Sequence, residues 1–216
     1  MKQTNEGKPI YGATYEERVF INCPFDEEYQ TLLQAITFCI YSCGFLPVTA
    51  LNEDNALNNR LQKIENCIEQ CRYGVHDISR VELNENGLPR FNMPFELGLF
   101  FGARRFGIKE QKLKTALIFE RDQYRYQQFI SDLNGVDIKA HGDKPHQVIK
   151  KVRDWLCLAS RRTTIPGPAF IQKQFDLFMR DLPGITVHLG QDTGSLSFND
   201  FCVIIEESIR KKWERA

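Results

Sequence analysis

The sequence predicts an α/β fold: a doubly wound, mostly parallel sheet of five strands, with a small, mainly helical C-terminal appendage. Three observations predict it. Between residues 18 and 159, short apolar runs alternate with segments whose apolar residues recur at helical spacing. That alternation makes a parallel sheet covered by helices on both faces, and right-handed crossovers leave few topologies for it. The rhythm then breaks at residue 160, where Arg161-Arg162-Thr163-Thr164 and Pro166-Gly167-Pro168 read as a linker. Finally, the chain has 216 residues, 42% hydrophobic and 26% charged, which is ordinary globular composition and length enough for a core without covalent staples.

Each element has its own signal. Residues 1–17 are polar and read as a flexible arm. Arg18 to Asn22 is an apolar run ended by Cys23-Pro24-Phe25, hence a strand and a turn. Asp26 is a good N-cap, with Glu27 and Glu28 placed where acids suit a helix dipole. Tyr29, Leu32, Leu33, Ile36, Ile40 and Cys43 then mark a helix that Gly44 stops. Phe45 to Leu51 reads as the second strand, and Asn52 to Asn55 as a loop. Leu57, Leu61, Ile64, Ile68 and Cys71 mark the second helix. Tyr73 to Ile78 is the third strand, followed by a loop with Asn86-Gly87 and Pro89. Phe95 to Ala103 is an apolar helix and Thr115 to Phe119 the fourth strand. Tyr124 to Leu133 is expected to be helical, Val136 to Ala140 a weak fifth strand, and Pro145 the start of a helix ending near Ala159. Beyond the linker, helices are expected around Phe170–Leu182 and Phe198–Trp213, with a strand over Ile185 to Leu189 between them. The division is therefore 1–17, 18–159 and 160–216.

Charge and cysteine content narrow the partners. Lys+Arg and Asp+Glu each number 28, and residues 160–216 hold 8 basic and 7 acidic side chains. No basic excess points to nucleic acid. No apolar run approaches the ~18 residues of a membrane span, and the N-terminus has no apolar signal core. A cytoplasmic protein is expected. The 7 cysteines sit mostly among apolar residues and read as reduced core thiols.

In open α/β sheets, ligands bind beyond the carboxyl ends of the strands, near the switch point. The segments there are Asn22-Cys23-Pro24-Phe25, Asp77-Ile78-Ser79-Arg80 and Arg90 to Gly98. Glu96 stands out as a carboxylate among Phe95, Leu97, Leu99 and Phe100, surroundings that strip it of water. Its bland alternative is structural: with Met93 as N-cap and Pro94 first in the helix, Glu96 would be a capping-box acid. Asp77 reads either as a ligand contact or as a turn acid. Arg80 and Arg90 suit phosphate, or plain surface solvation. His76 has an acid beside it but no serine nucleophile nearby. Cys23 lacks the arginine a phosphatase loop needs, since Tyr29 stands there. Cys39/Cys43 and Cys67/Cys71 fall on apolar helix faces, so packing outweighs zinc. No GxGxxG or GxxxxGK[ST] loop occurs, and no metal site is expected.

Val19-Phe20-Ile21-Asn22 resembles the first strand of TIR-type domains. The stretch Arg90-Phe91-Asn92-Met93-Pro94-Phe95-Glu96-Leu97-Gly98, continuing to Gly102, resembles the R-x-N-x-x-FELG signature of bacterial TIR-like nucleotide-binding proteins. It is also similar to the glutamate-bearing helix of nucleoside 2-deoxyribosyltransferases. The resemblance covers about residues 18–120, and only the FELG region is specific. It implies a flavodoxin-like sheet and cleavage of an N-glycosidic bond, with Glu96 facing the anomeric carbon and Asp77 a weaker second catalytic candidate. Asn22, Phe25, Arg80, Arg90 and Asn92 become candidate substrate contacts. Phe25, Phe91 and Phe95 suit a base or ribose face. NAD+ or a related nucleotide or nucleoside is then the substrate, with no separate cofactor. The implied setting is bacterial antiphage defence, with self-assembly or a regulatory protein as trigger. The alternative is a nucleotide-signal sensor or adaptor of the same fold that does no chemistry. Two motifs of these groups are absent. Arg90-Phe91-Asn92 replaces the acid-Ser/Gly-Thr segment of the deoxyribosyltransferases, and the Ser and Trp-Cys of common TIR enzymes are missing.

Overall fold

The computed structural model describes residues 12–52, 57–83 and 87–213, with side chains described through residue 210. The arm up to residue 11, loop positions Glu53, Asp54 and Asn55, and Asn86 lie outside the described residues.

Five parallel strands form one sheet in the order β2-β1-β3-β4-β5. They are β1 (Arg18–Asn22), β2 (Leu46–Val48), β3 (Tyr73–Asp77), β4 (Thr115–Glu120) and β5 (Lys139–Ala140). This is the flavodoxin-like doubly wound arrangement. Period-two alternation sends Val19, Ile21, Tyr73 and Val75 to one face, and Phe20 to the other. The first face is covered by α1 (Gln30–Ser42) and α4 (Pro145–Ser160), the second by α2 (Arg60–Gln70) and α3 (Asn92–Phe106). None of the helices among the described residues is long and apolar enough to cross a membrane.

Local chemistry sets the boundaries. The Asp26 side chain accepts from the Tyr29 N–H at 3.0 Å and caps a short 3-10 turn leading into α1. At the other end Gly44 has φ +77, and the Phe45 N–H reaches the Ile40 carbonyl at 3.1 Å. That Schellman closure explains why the helix stops at a glycine. The segment read as an arm is structured from Thr14 onward. Thr14 and Glu17 cap a turn, and the Tyr15 hydroxyl donates to the Glu110 carbonyl at 3.0 Å.

Several expectations need correction. Leu57 is 91% exposed and precedes α2, whose capping box is Asn59 with Gln62. Tyr124 to Leu133 is not one helix but two 3-10 turns, Arg125–Gln128 and Ser131–Leu133. Tyr124 is left-handed at φ 66, and Arg125 is drawn back onto Glu120, Glu82 and the Ser79 carbonyl. The strand expected over Ile185 to Leu189 is helix. α5 spans Pro168–His188, straight through Pro183 and Gly184. Its buried side chains Ile171, Phe175, Phe178, Leu182 and Thr186 keep helical spacing, and burial outweighs the two breakers. Nor is the C-terminal region peripheral. α5 and α6 (Phe198–Trp213) put Phe175, Phe178, Phe201 and Ile205 into the same core cluster as α1 and α4.

Gly74 sits where β3 passes under α3. A Cβ there would lie 2.5 Å from His76 Nε2 and 2.9 Å from the Phe100 ring. Both rings are buried and packed edge to face, with centroids 4.8 Å apart. Gly74→Ala is expected to cost roughly 1–3 kcal/mol by overpacking. Urea unfolding checks it, and unchanged stability would mean that the two rings move aside freely.

Candidate functional site

β1 connects through α1 toward β2 on one side, and β2 returns through α2 to β3 on the other. The switch point therefore lies between β1 and β3, where such sheets hold ligands. A cleft of about 120 Å3 opens there, lined by Cys23, Pro24, Phe25, Arg60, Arg80, Arg90, Asn92 and Met93. It is small beside the roughly 300–1,000 Å3 of a full ligand pocket.

Glu96 lies beside this cleft on α3, behind Arg60. α3 begins at Asn92 with Phe91 as N-cap, one residue earlier than Met93 and two before Pro94. Glu96 is thus the fifth helical residue and no capping-box acid. Its side chain is 5% exposed, and Arg60 Nη2 approaches Oε1 at 3.6 Å. Burial pushes the Glu96 carboxyl up to about 7, with Arg60 pulling it back only in part. A carboxylate that exchanges its proton near neutrality beside a cleft is the most distinctive chemical group of the site.

Asp77 is placed differently. It is fully buried at the end of β3, and it does not line the cleft. Tyr29 donates its hydroxyl to Oδ2 at 2.6 Å, and Ser79 donates both its N–H (2.8 Å) and its hydroxyl (2.5 Å) to Oδ1. His141 Nε2 stands 3.0 Å from Oδ2, outside hydrogen-bond alignment. The Asp143 N–H donates to His141 Nδ1 at 2.9 Å, which assigns the hydrogen to Nε2, the nitrogen facing Asp77. Asp77 thereby ties the turn after β1, the end of β3 and the segment after β5 together. Its charge is felt nearby. Burial, reinforced by Asp77, holds the Tyr29 hydroxyl well above its ordinary range. The Cys23 thiol is raised chiefly by burial, then by Asp77, Glu96 and Asp26. A thiol held protonated in this way is no nucleophile.

Asn22 likewise faces inward. Its Nδ2 donates to the Met93 carbonyl at 3.0 Å and to His76 Nδ1 at 3.1 Å, docking the first turn of α3 on β1. His76 is fully buried, and desolvation lowers it to about 3, so it stays neutral. Arg80 reaches the cleft, yet its Nη2 is held by Glu28 at 2.7 Å and Asp26 at 3.1 Å. Arg90 and Asn92 are exposed at the cleft. Arg90 has no ion pair among the described residues. Phe25 lines the cleft, and Phe91 and Phe95 expose their rings at 58% and 55%.

The structure thus gathers Phe25, Arg80, Arg90 and Asn92 at one opening with Glu96 beside them, and puts Asn22 and Asp77 in the supporting layer. Arg60, Tyr29 and His141 were not anticipated. His141 directly follows the weak fifth strand, where a carboxyl-end search would have found it. Tyr29 looked like one more apolar helix residue. Arg60 had no sequence signal beyond its place at the start of α2. All seven cysteines are free. Comparison with protein-family models, with curated proteins and with solved structures finds no match to this chain.

Proposed function

We propose that the protein cleaves the N-glycosidic bond of NAD+ or a related nucleotide, with Glu96 as the reacting carboxylate. The observation that carries this reading is the position of Glu96: buried, beside a switch-point cleft, with Arg60 against it. Breaking a ribosyl–base bond leaves positive charge on C1′ and the ring oxygen. A carboxylate below the ring stabilises that oxocarbenium-like state or attacks C1′. The bonding pair departs with the base. Nicotinamide leaves neutral, so no strong general acid is required. Water then adds to C1′ and loses its proton to solvent. Arg90 suits the phosphates, and the exposed rings of Phe91 and Phe95 suit a base face. On this reading the protein is an effector of bacterial antiphage defence, switched on by self-assembly or by a regulatory partner.

The second reading is a sensor that binds a nucleotide signal without chemistry. The ion pair between Arg60 and Glu96 favours it, because the carboxylate is already engaged. Purified protein incubated with NAD+, and separately with nucleotides and deoxynucleosides, decides between them. The enzyme releases free base, and Glu96→Gln lowers that release by about a hundred- to a thousandfold. A base freed from deoxynucleosides alone would move the substrate class. Binding without any product, altered in affinity alone by Glu96→Gln, would establish the sensor.

A further inference from the structure

Arg60 is the first residue of α2, and it lines the cleft. Its pairing with Glu96 is uneven. The Glu96 side chain is 5% exposed and fixed on a helix, whereas the long Arg60 side chain is 55% exposed. The 3.6 Å separation is also long. Charge-assisted bonds run at roughly 2.7–2.9 Å and gain most from two parallel N–H···O contacts. The closest approach of Arg60 to Glu96 is a loose one, which leaves the guanidinium exchangeable. A phosphate offers several oxygens to the guanidinium fork. The neighbouring cations differ in kind. Arg80 is committed to Asp26 and Glu28, while Arg90 has no ion pair among the described residues. An anion drawn in by Arg90 arrives where Arg60 can turn to it.

We propose that Arg60 is an exchangeable latch, which rests on Glu96 and transfers to the phosphate of an incoming ligand, uncovering the carboxylate only for phosphorylated ligands. This rests on the reading of Glu96 as the reacting group, and it adds a selection rule. A nucleoside lacking phosphate leaves Arg60 in place and Glu96 covered. The two partners then compete for one cation, and coupling between binding events is reciprocal. Whatever weakens the hold of Glu96 on Arg60 must strengthen anion binding.

Inorganic pyrophosphate is the probe, titrated calorimetrically at fixed pH and ionic strength. The proteins are wild type, Glu96→Gln, Arg60→Gln and the double variant. Thermal unfolding shows that each is folded. Glu96→Gln is expected to bind pyrophosphate about five- to tenfold more tightly than wild type. Arg60→Gln binds more weakly, and adding Glu96→Gln to it changes nothing further. Equal affinities for wild type and Glu96→Gln would overturn the latch. So would equal tightening in the Arg60→Gln background, which would be a diffuse charge effect. So would an absence of pyrophosphate binding at millimolar concentration. None of these readouts involves turnover. Coupling without base release would sink the enzyme and keep the latch, and base release without coupling would do the reverse.

Discussion

Glu96→Gln is expected to stabilise the protein by about 2–3 kcal/mol more at pH 8 than at pH 5. The carboxyl sits at about 7 in the native protein, against an ordinary value of 4.5. Between those values the native state keeps a proton that the unfolded chain has released. Stability therefore falls as pH rises through that interval and is flat above it. Glutamine has no charge to desolvate and is free of this slope. It also gives up the attraction of Arg60, but that partner is more than half exposed, so the loss is small. Urea unfolding of both proteins at pH 5 and pH 8 measures the difference, and a Tm gap of about 4–8 °C should open at the higher pH. Parallel pH profiles would show that Glu96 is hydrated, and with that the chemical case for it would go. A mutation that removes activity and adds stability is what a desolvated functional carboxylate produces.

Asp77→Ala should cost about 3–5 kcal/mol. The alanine orphans the Tyr29 hydroxyl, the Ser79 hydroxyl and the Ser79 N–H together, all of them buried. It also removes the carboxylate facing His141. Loss of that size is a fifth or more of the stability of an ordinary domain. Denaturant midpoints check it, with Ser79→Ala as a milder companion that deletes one donor only. The experiment also separates two roles. If Asp77→Ala were as stable as wild type and yet inactive, Asp77 would have to contact substrate, and its placement in the supporting layer would be wrong.

What could be read from the residues depended on whether the signal was local. Strand and helix alternation, the Asp26 cap and the Gly44 stop are properties of neighbouring residues, and all of them appear in the fold. Glu96 was visible because a carboxylate inside Phe-Glu-Leu-Gly is conspicuous against apolar neighbours. Its environment was not visible, since Arg60 lies 36 positions earlier and meets it only because α2 packs beside α3. Asp77 shows the same limit. A strand-end acid looks alike whether it faces a cleft or Tyr29 and Ser79. The errors at Tyr124 to Leu133 and Ile185 to Leu189 have a tertiary origin. In the first, Arg125 is pulled out of helical register by Glu120 and Glu82. In the second, buried Phe178 and Leu182 hold a helix together across Pro183.

The joining of α5 and α6 to the main core bears on how the chain is made. Phe38 of α1 stacks on Phe178 at 5.2 Å between centroids, and Phe178 meets Phe201 at 5.9 Å. Phe38 and Phe178 are far apart in sequence, so the loop between them is among the longest the fold must close. On the ribosome, the strands and first helices emerge with the outer face of α1 still wet. That apolar face stays open to chaperones, and to mispairing with other nascent chains, until α6 has been synthesised. Translation speed through the last helices therefore sets how long the newborn protein is vulnerable.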